Sequence, residues 1–131
     1  MKNSIIYDKS LDFAERIVNL RKYMFDVNKE DIMSKQLLRC GTSIGANVSE
    51  ALAAESSADF IHKLSIYQKE ADETMFWLEL LKRTQYLSEK QFESLVADCR
   101  EIKKLITSII LTTKQNSGLI TQNSKLKTQN L

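Results

Sequence analysis

Apolar side chains recur every three or four positions in four long stretches separated by short polar links, and each stretch predicts an amphipathic helix. Phe13, Ile17, Leu20 and Met24 line the first, expected over about residues 10–27, with Ser10 as its cap and Asp12 in the first turn, where the helix dipole favours a carboxylate. Ala14, Val18 and Phe25 widen that face. Met33, Leu37, Cys40, Ile44, Val48 and Ala51 line the second, over about 30–55, opened by Asn28 or by Glu30 with Asp31. Ser56 and Ser57 followed by Asp59 mark the start of a third helix, about 58–84, striped by Phe60, Leu64, Tyr67, Ala71, Thr74, Leu78 and Leu81. Ser88 with Glu89 and Gln91 can cap a fourth over about 89–116, whose stripe runs from Phe92 through Cys99 and Ile110 to Thr113.

Four helices of this length on short links predict an all-α chain, an antiparallel up-down-up-down four-helix bundle over residues 1–117. The absence of proline agrees, and only three glycines occur. Two of those, Gly41 and Gly45, fall inside the second helix, where each costs roughly 1 kcal/mol against alanine. Their spacing predicts close approach of another backbone. The third helix is apolar on two sides: Phe76 and Leu80 point away from its core stripe and Trp77 sits on the flank. A second greasy face calls for a second contact, so these three residues are the candidate oligomer interface and a ring-like homo-oligomer is expected.

Composition changes the picture little. A formal charge of +2 on 131 residues is far from the dense positive charge of a dedicated nucleic-acid binder. Cys40 and Cys99 lie on apolar helix faces and read as buried thiols rather than a disulfide. The first ten residues hold no signal-peptide apolar run, and Leu105–Thr113 is too short to span a bilayer, so no membrane contact and a cytoplasmic location are expected.

Charge distribution says more. Beyond Glu101 no acidic residue occurs, while Arg100, Lys103, Lys104 and Lys114 fall along one flank of the fourth helix, a strip that can neutralise phosphates without reading bases. Residues 118–131 form a polar, lysine-bearing tail in which QNSGLIT is followed by QNSKLKT. It reads as a mobile segment left by local duplication, or as one whose Leu119 and Leu126, seven apart, dock on a neighbour. Asn47 and Glu50, at the edge of the second helix's stripe, are expected in a partly buried polar contact that sets helix register. His62 is the single histidine, and Glu70, Asp72, Glu73 and Glu79 lack the Glu-x-x-His pattern of di-metal bundles. No catalytic residue, metal ligand or cofactor is therefore expected.

The run Ser43 to Leu81, through Ser43-Ile44, Ala46-Asn47-Val48, Glu50-Ala51, Asp59-Phe60-Ile61, Lys69-Glu70-Ala71 and Trp77-Leu78-Glu79-Leu80-Leu81, resembles the bacterial four-helix proteins associated with 23S ribosomal RNA intervening sequences. The resemblance implies a homopentameric ring. Some relatives are encoded inside spacers of the rRNA gene, and a related branch, the accessory protein of diversity-generating retroelements, binds nucleic acid and a reverse transcriptase. Ser49 stands where the resemblance leads one to expect a basic residue, and the net charge is low for the retroelement branch. The expected function is non-enzymatic binding or scaffolding by a homo-oligomer with RNA, DNA or a nucleic-acid enzyme as partner; the alternative is a module that recruits a protein without touching nucleic acid.

Overall fold

The computed structural model describes residues 4–118, which form four helices: α1 (Ile5–Asp26), α2 (Ile32–Leu52), α3 (Ser57–Arg83) and α4 (Glu89–Asn116), with no strand among the described residues. Residues 119–131, including the second QNS repeat and Leu126, lie outside this span.

Hydroxyl caps set three of the four starts. Ser56 accepts the Asp59 N–H at 3.1 Å, and Ser88 exchanges bonds with Gln91 in a full capping box. The first helix departs from expectation: it starts at Ile5, where Ser4 accepts the Tyr7 N–H, and not at Ser10. Ile6 carries the buried stripe one turn upstream of Ser10, so the supposed lead-in is helix. Ser10 is then interior. Its hydroxyl donates to the Ile6 carbonyl at 2.6 Å and accepts the Tyr67 hydroxyl, closing a buried bond between α1 and α3. Helix α2 ends at Leu52, short of the expected residue 55, as the chain turns through Ala53 and Ala54.

Helix α2 opens without a side-chain bond from its own cap, Asp31. Glu30 does that work from one residue earlier: its carboxylate is buried and accepts the N–H groups of Ile32, Met33 and Ser34 at 3.0, 3.1 and 2.7 Å. Burial alone would raise its pKa, but these amide donors hold it below the usual glutamate value. Beside it Arg21 bonds the Asp31 carboxylate at 2.7 Å, which lowers that pKa too, and the Ser34 hydroxyl at 2.8 Å, tying α1 to the start of α2.

Packing runs α1 on α2, α2 on α3 and α3 on α4, with a lighter contact of α4 on α1. Phe13, Ile17, Leu37, Ile44, Leu64, Tyr67, Leu78, Leu81, Ile102 and Ile106 are sealed from solvent between them. Each such side chain contributes about 1.5–3 kcal/mol. The two glycines prove unlike. A Cβ on Gly41 would meet both γ carbons of Ile17 at 3.0 Å, a tight contact that Ile17 would have to relieve by shifting a few tenths of an ångström. A Cβ on Gly45 would lie 3.8 Å from Ser10, in ordinary contact, so nothing inside the subunit demands glycine there.

Candidate binding surfaces

The cationic flank begins from α4's rotation. The buried stripe Leu95, Cys99, Ile102, Ile106 turns Arg100 and Lys104, four residues apart, to solvent. Lys103 leans toward α3 and pairs with Asp72 at 2.5 Å, and one turn on Gln68 donates to the Thr107 hydroxyl at 2.9 Å. Lys114 is half-buried in the last turn, where the carbonyl end of the helix favours a cation. Lys103, Lys104, Thr107, Ser108 and Leu111 line a shallow depression of about 390 Å³. Thus the four residues share one flank, but one of their charges is offset inside the subunit. On the far side of α4, Glu101 is taken by Lys9 at 2.7 Å and Asp98 by Arg16 at 2.5 Å. The Glu101 carboxylate raises the Lys9 pKa through that bond.

On α3 the stripe Leu64, Tyr67, Ala71, Thr74, Leu78, Leu81 is buried, while Phe76, on the opposite face, stays 57% exposed. Trp77 and Leu80 are half-buried. The Phe76 and Trp77 rings meet edge to face at 5.0 Å. The Trp77 Nε1–H is shielded from water and has no acceptor among the described residues, and the Glu70 Oε2 on the same flank has no donor within bonding distance. Arg39 of α2 sits over this flank, bonding Glu73 at 2.6 Å and standing 3.7 Å from Glu70. A buried indole N–H left without a partner costs about 1–3 kcal/mol. Patterning alone located the two apolar faces; the unsatisfied N–H needed the packed structure.

Glu50 is exposed rather than half-buried, and it reaches only Lys63, at 3.5 Å, while Asn47 is half-buried at the α2 edge. Such an exposed pair contributes less than about 1 kcal/mol. His62 is exposed. Among the described residues no group of three metal-ligating side chains converges, and no helix is long and apolar enough to cross a membrane. Cys40 and Cys99 are both free and buried; burial pushes the Cys99 thiol up to about 12.

Sequence reasoning missed one surface. Tyr7, Leu11 and Ala14 of α1 face Thr42, Gly45, Ala46 and Ser49 of α2 across a groove of about 190 Å³, with Leu11 54% exposed at its edge. Its signal was present in the widened apolar face of the first helix and in the second glycine.

A family model described as 23S rRNA-intervening sequence protein matches residues 2–108. The chain is also similar to a crystal structure of a protein of unknown function from the S23 ribosomal protein family of Bacteroides thetaiotaomicron. The two are 58% identical, the match covers 81% of this chain and 98% of the other, and the TM-score is 0.80. No curated protein matches the chain.

Proposed function

We infer a role from the premise that this chain belongs to the 23S rRNA-intervening sequence protein family, as the match over residues 2–108 establishes. We propose a non-enzymatic, cytoplasmic homo-oligomer that binds or scaffolds, built from antiparallel up-down-up-down bundles arranged in a ring, with a pentamer as the expected number. The bundle reading is supported by cross-helix contacts whose numbers rise in one helix as they fall in the next, as in Lys82 to Glu89, Asp72 to Lys103 and Gln68 to Thr107.

The observation that carries the proposal is the second face of α3, where exposed Phe76 lies beside the unsatisfied Trp77 N–H. A neighbouring copy that covers Phe76 and Leu80 removes the exposed apolar surface of this face. In a ring the Arg100 and Lys104 pair repeats with every copy, and the summed field attracts a polyanion that one subunit would hold weakly. RNA, DNA or an enzyme acting on them is the partner this favours.

The Asp72–Lys103 pair favours a second reading, a ring that recruits a protein without nucleic acid, because it removes one charge from the strip. Light scattering and a gel shift separate these. Light scattering should return a multiple of the 15.1 kDa chain mass. Structured RNA or duplex DNA should shift at micromolar protein and be released by salt. A chain that remains a single copy at high concentration defeats the ring. An oligomer with no salt-dependent shift leaves the protein-recruiting reading.

A further inference from the structure

Two surfaces of the subunit are left without a partner. One is the α1/α2 groove, where Leu11 is 54% exposed and Gly45 weakens its helix by roughly 1 kcal/mol although a Cβ there would have ordinary room. The other is the outward ridge of α3, which runs through Lys69, Phe76 and Arg83, seven residues apart and all exposed. That ridge is turned away from the core, so it cannot reach the groove of its own chain.

Heights along the bundle decide what two copies would bring together. Gly41 stands against Ile17 and Gly45 against Ser10, so α2 descends beside α1; Arg39 meets Glu73 and Glu50 meets Lys63, so α3 rises again alongside it. The buried bond between Tyr67 and Ser10 then puts each residue of α3 level with the α1 residue 57 lower in the chain. A rotation about an axis parallel to the helices, the operation that builds a ring, leaves every residue at its own height.

At equal heights the charges oppose. Lys69 falls between Asp8 and Glu15, which bracket Leu11 on α1, while Glu79 comes level with Lys22 and Arg83 with Asp26. Asp8, Glu15, Lys22 and Asp26 share the outer side of α1 and are exposed, and neither they nor Lys69 have an ion-pair partner among the described residues. Asp72, level with Glu15, is already neutralised by Lys103. Between the charged positions Phe76 comes close to the level of Val18 on α1 and Leu38 on α2, both half-buried.

We propose that the ring closes head to tail, the outward ridge of α3 in one copy lying along the α1/α2 face of the next, with Lys69 between Asp8 and Glu15 and Arg83 against Asp26. This rests on the ring reading above and adds the surface that receives Phe76. Because the contact joins two different patches, every copy gives one and takes one.

Charge swapping in the full chain tests the register, read by light scattering on a dilution series. Lys69→Glu should move the midpoint of dissociation roughly tenfold toward higher concentration, as should Asp8→Lys with Glu15→Lys, because each sets like charges opposite one another. Combining all three substitutions should restore most of the wild-type midpoint. These side chains are exposed, so helix content by circular dichroism should not change. Benzoylphenylalanine in place of Leu11 gives an independent readout in a one-to-one mixture of isotopically heavy and light chains: photoadducts should fall on α3 between His62 and Phe76 and join heavy to light. Adducts within one chain, adducts on another segment, or a triple variant no tighter than its parents overturn the proposal. An oligomer that is lost with Phe76→Asp but indifferent to the charge swaps keeps the ring and overturns this interface, whereas a wild-type chain that stays a single copy defeats both.

Discussion

Tyr67 and Trp77 lie ten residues apart on α3, each an aromatic with one polar hydrogen removed from water, and they are treated oppositely. The Tyr67 hydroxyl faces the core, where Ser10 of α1 accepts it; burial raises its pKa, and the oxygen that receives its hydrogen is part of the helix packing. The Trp77 N–H faces the flank and finds no acceptor, beside a Phe76 left half in solvent. One face of the helix is complete within the subunit and the other is not. A polar hydrogen buried without a partner marks where the packing of a single chain stops short.

Truncation should break this contrast most sharply. Leu78→Ala on the closed face is expected to cost about 2–5 kcal/mol in urea unfolding. Phe76→Asp on the open face should leave helix content unchanged while lowering the mass seen by light scattering. Equal losses of stability at the two sites would erase the difference between the faces.

Ser10→Ala strands the Tyr67 hydroxyl and should cost about 1–3 kcal/mol. Adding Tyr67→Phe to that variant should recover part of the loss, since no polar hydrogen is then left unpaired; a double variant as unstable as the sum of the singles would deny the bond its role.

Glu30 extends the comparison to a carboxylate completed within the chain. Glu30→Gln should cost about 1–2 kcal/mol at pH 7. Because its folded pKa is lowered, its contribution is full above the unfolded value of roughly 4.3 and is lost as pH falls through the lower folded value. Wild type should therefore lose stability in that acid range more steeply than the variant, measured by thermal melts across pH.

Glycines provide a smaller test of closed against open. Gly41→Ala, pressed on Ile17, should destabilise by about 1 kcal/mol. Gly45→Ala, with room, should stabilise by up to about 1 kcal/mol. The smallest effect belongs to the strip: Asp72→Asn frees Lys103 and should steepen the salt dependence of any polyanion binding by about one ion per subunit.

Much of the scaffold was legible because its signals are local. The stripes Leu64 to Leu81 and Leu95 to Ile106 are buried as their spacing required, and Ser56 and Ser88 cap where hydroxyls precede apolar runs. Ser10 was misread for a reason internal to the same logic. A serine before an apolar run resembles a cap, but a serine one turn after Ile6 on that stripe is an interior position, and only the partner on α3 distinguishes the two. The candidate surfaces were half legible: spacing placed Phe76 and Leu80 opposite the core and gathered the basic residues on one flank, yet Glu50 is exposed and Lys103 is neutralised.

The sequence by itself determined four helices, the caps of the last two and the faces they bury, since periodicity and capping depend on residues within a turn or two of each other. Tertiary structure alone decided that Lys103 meets Asp72, that Gly41 is tight while Gly45 is open, that Trp77 lacks an acceptor and that a groove lies between α1 and α2. Those outcomes turn on the rotation and axial offset of one helix against another, where a shift of a few ångströms changes the partner, and no spacing within a single helix encodes it.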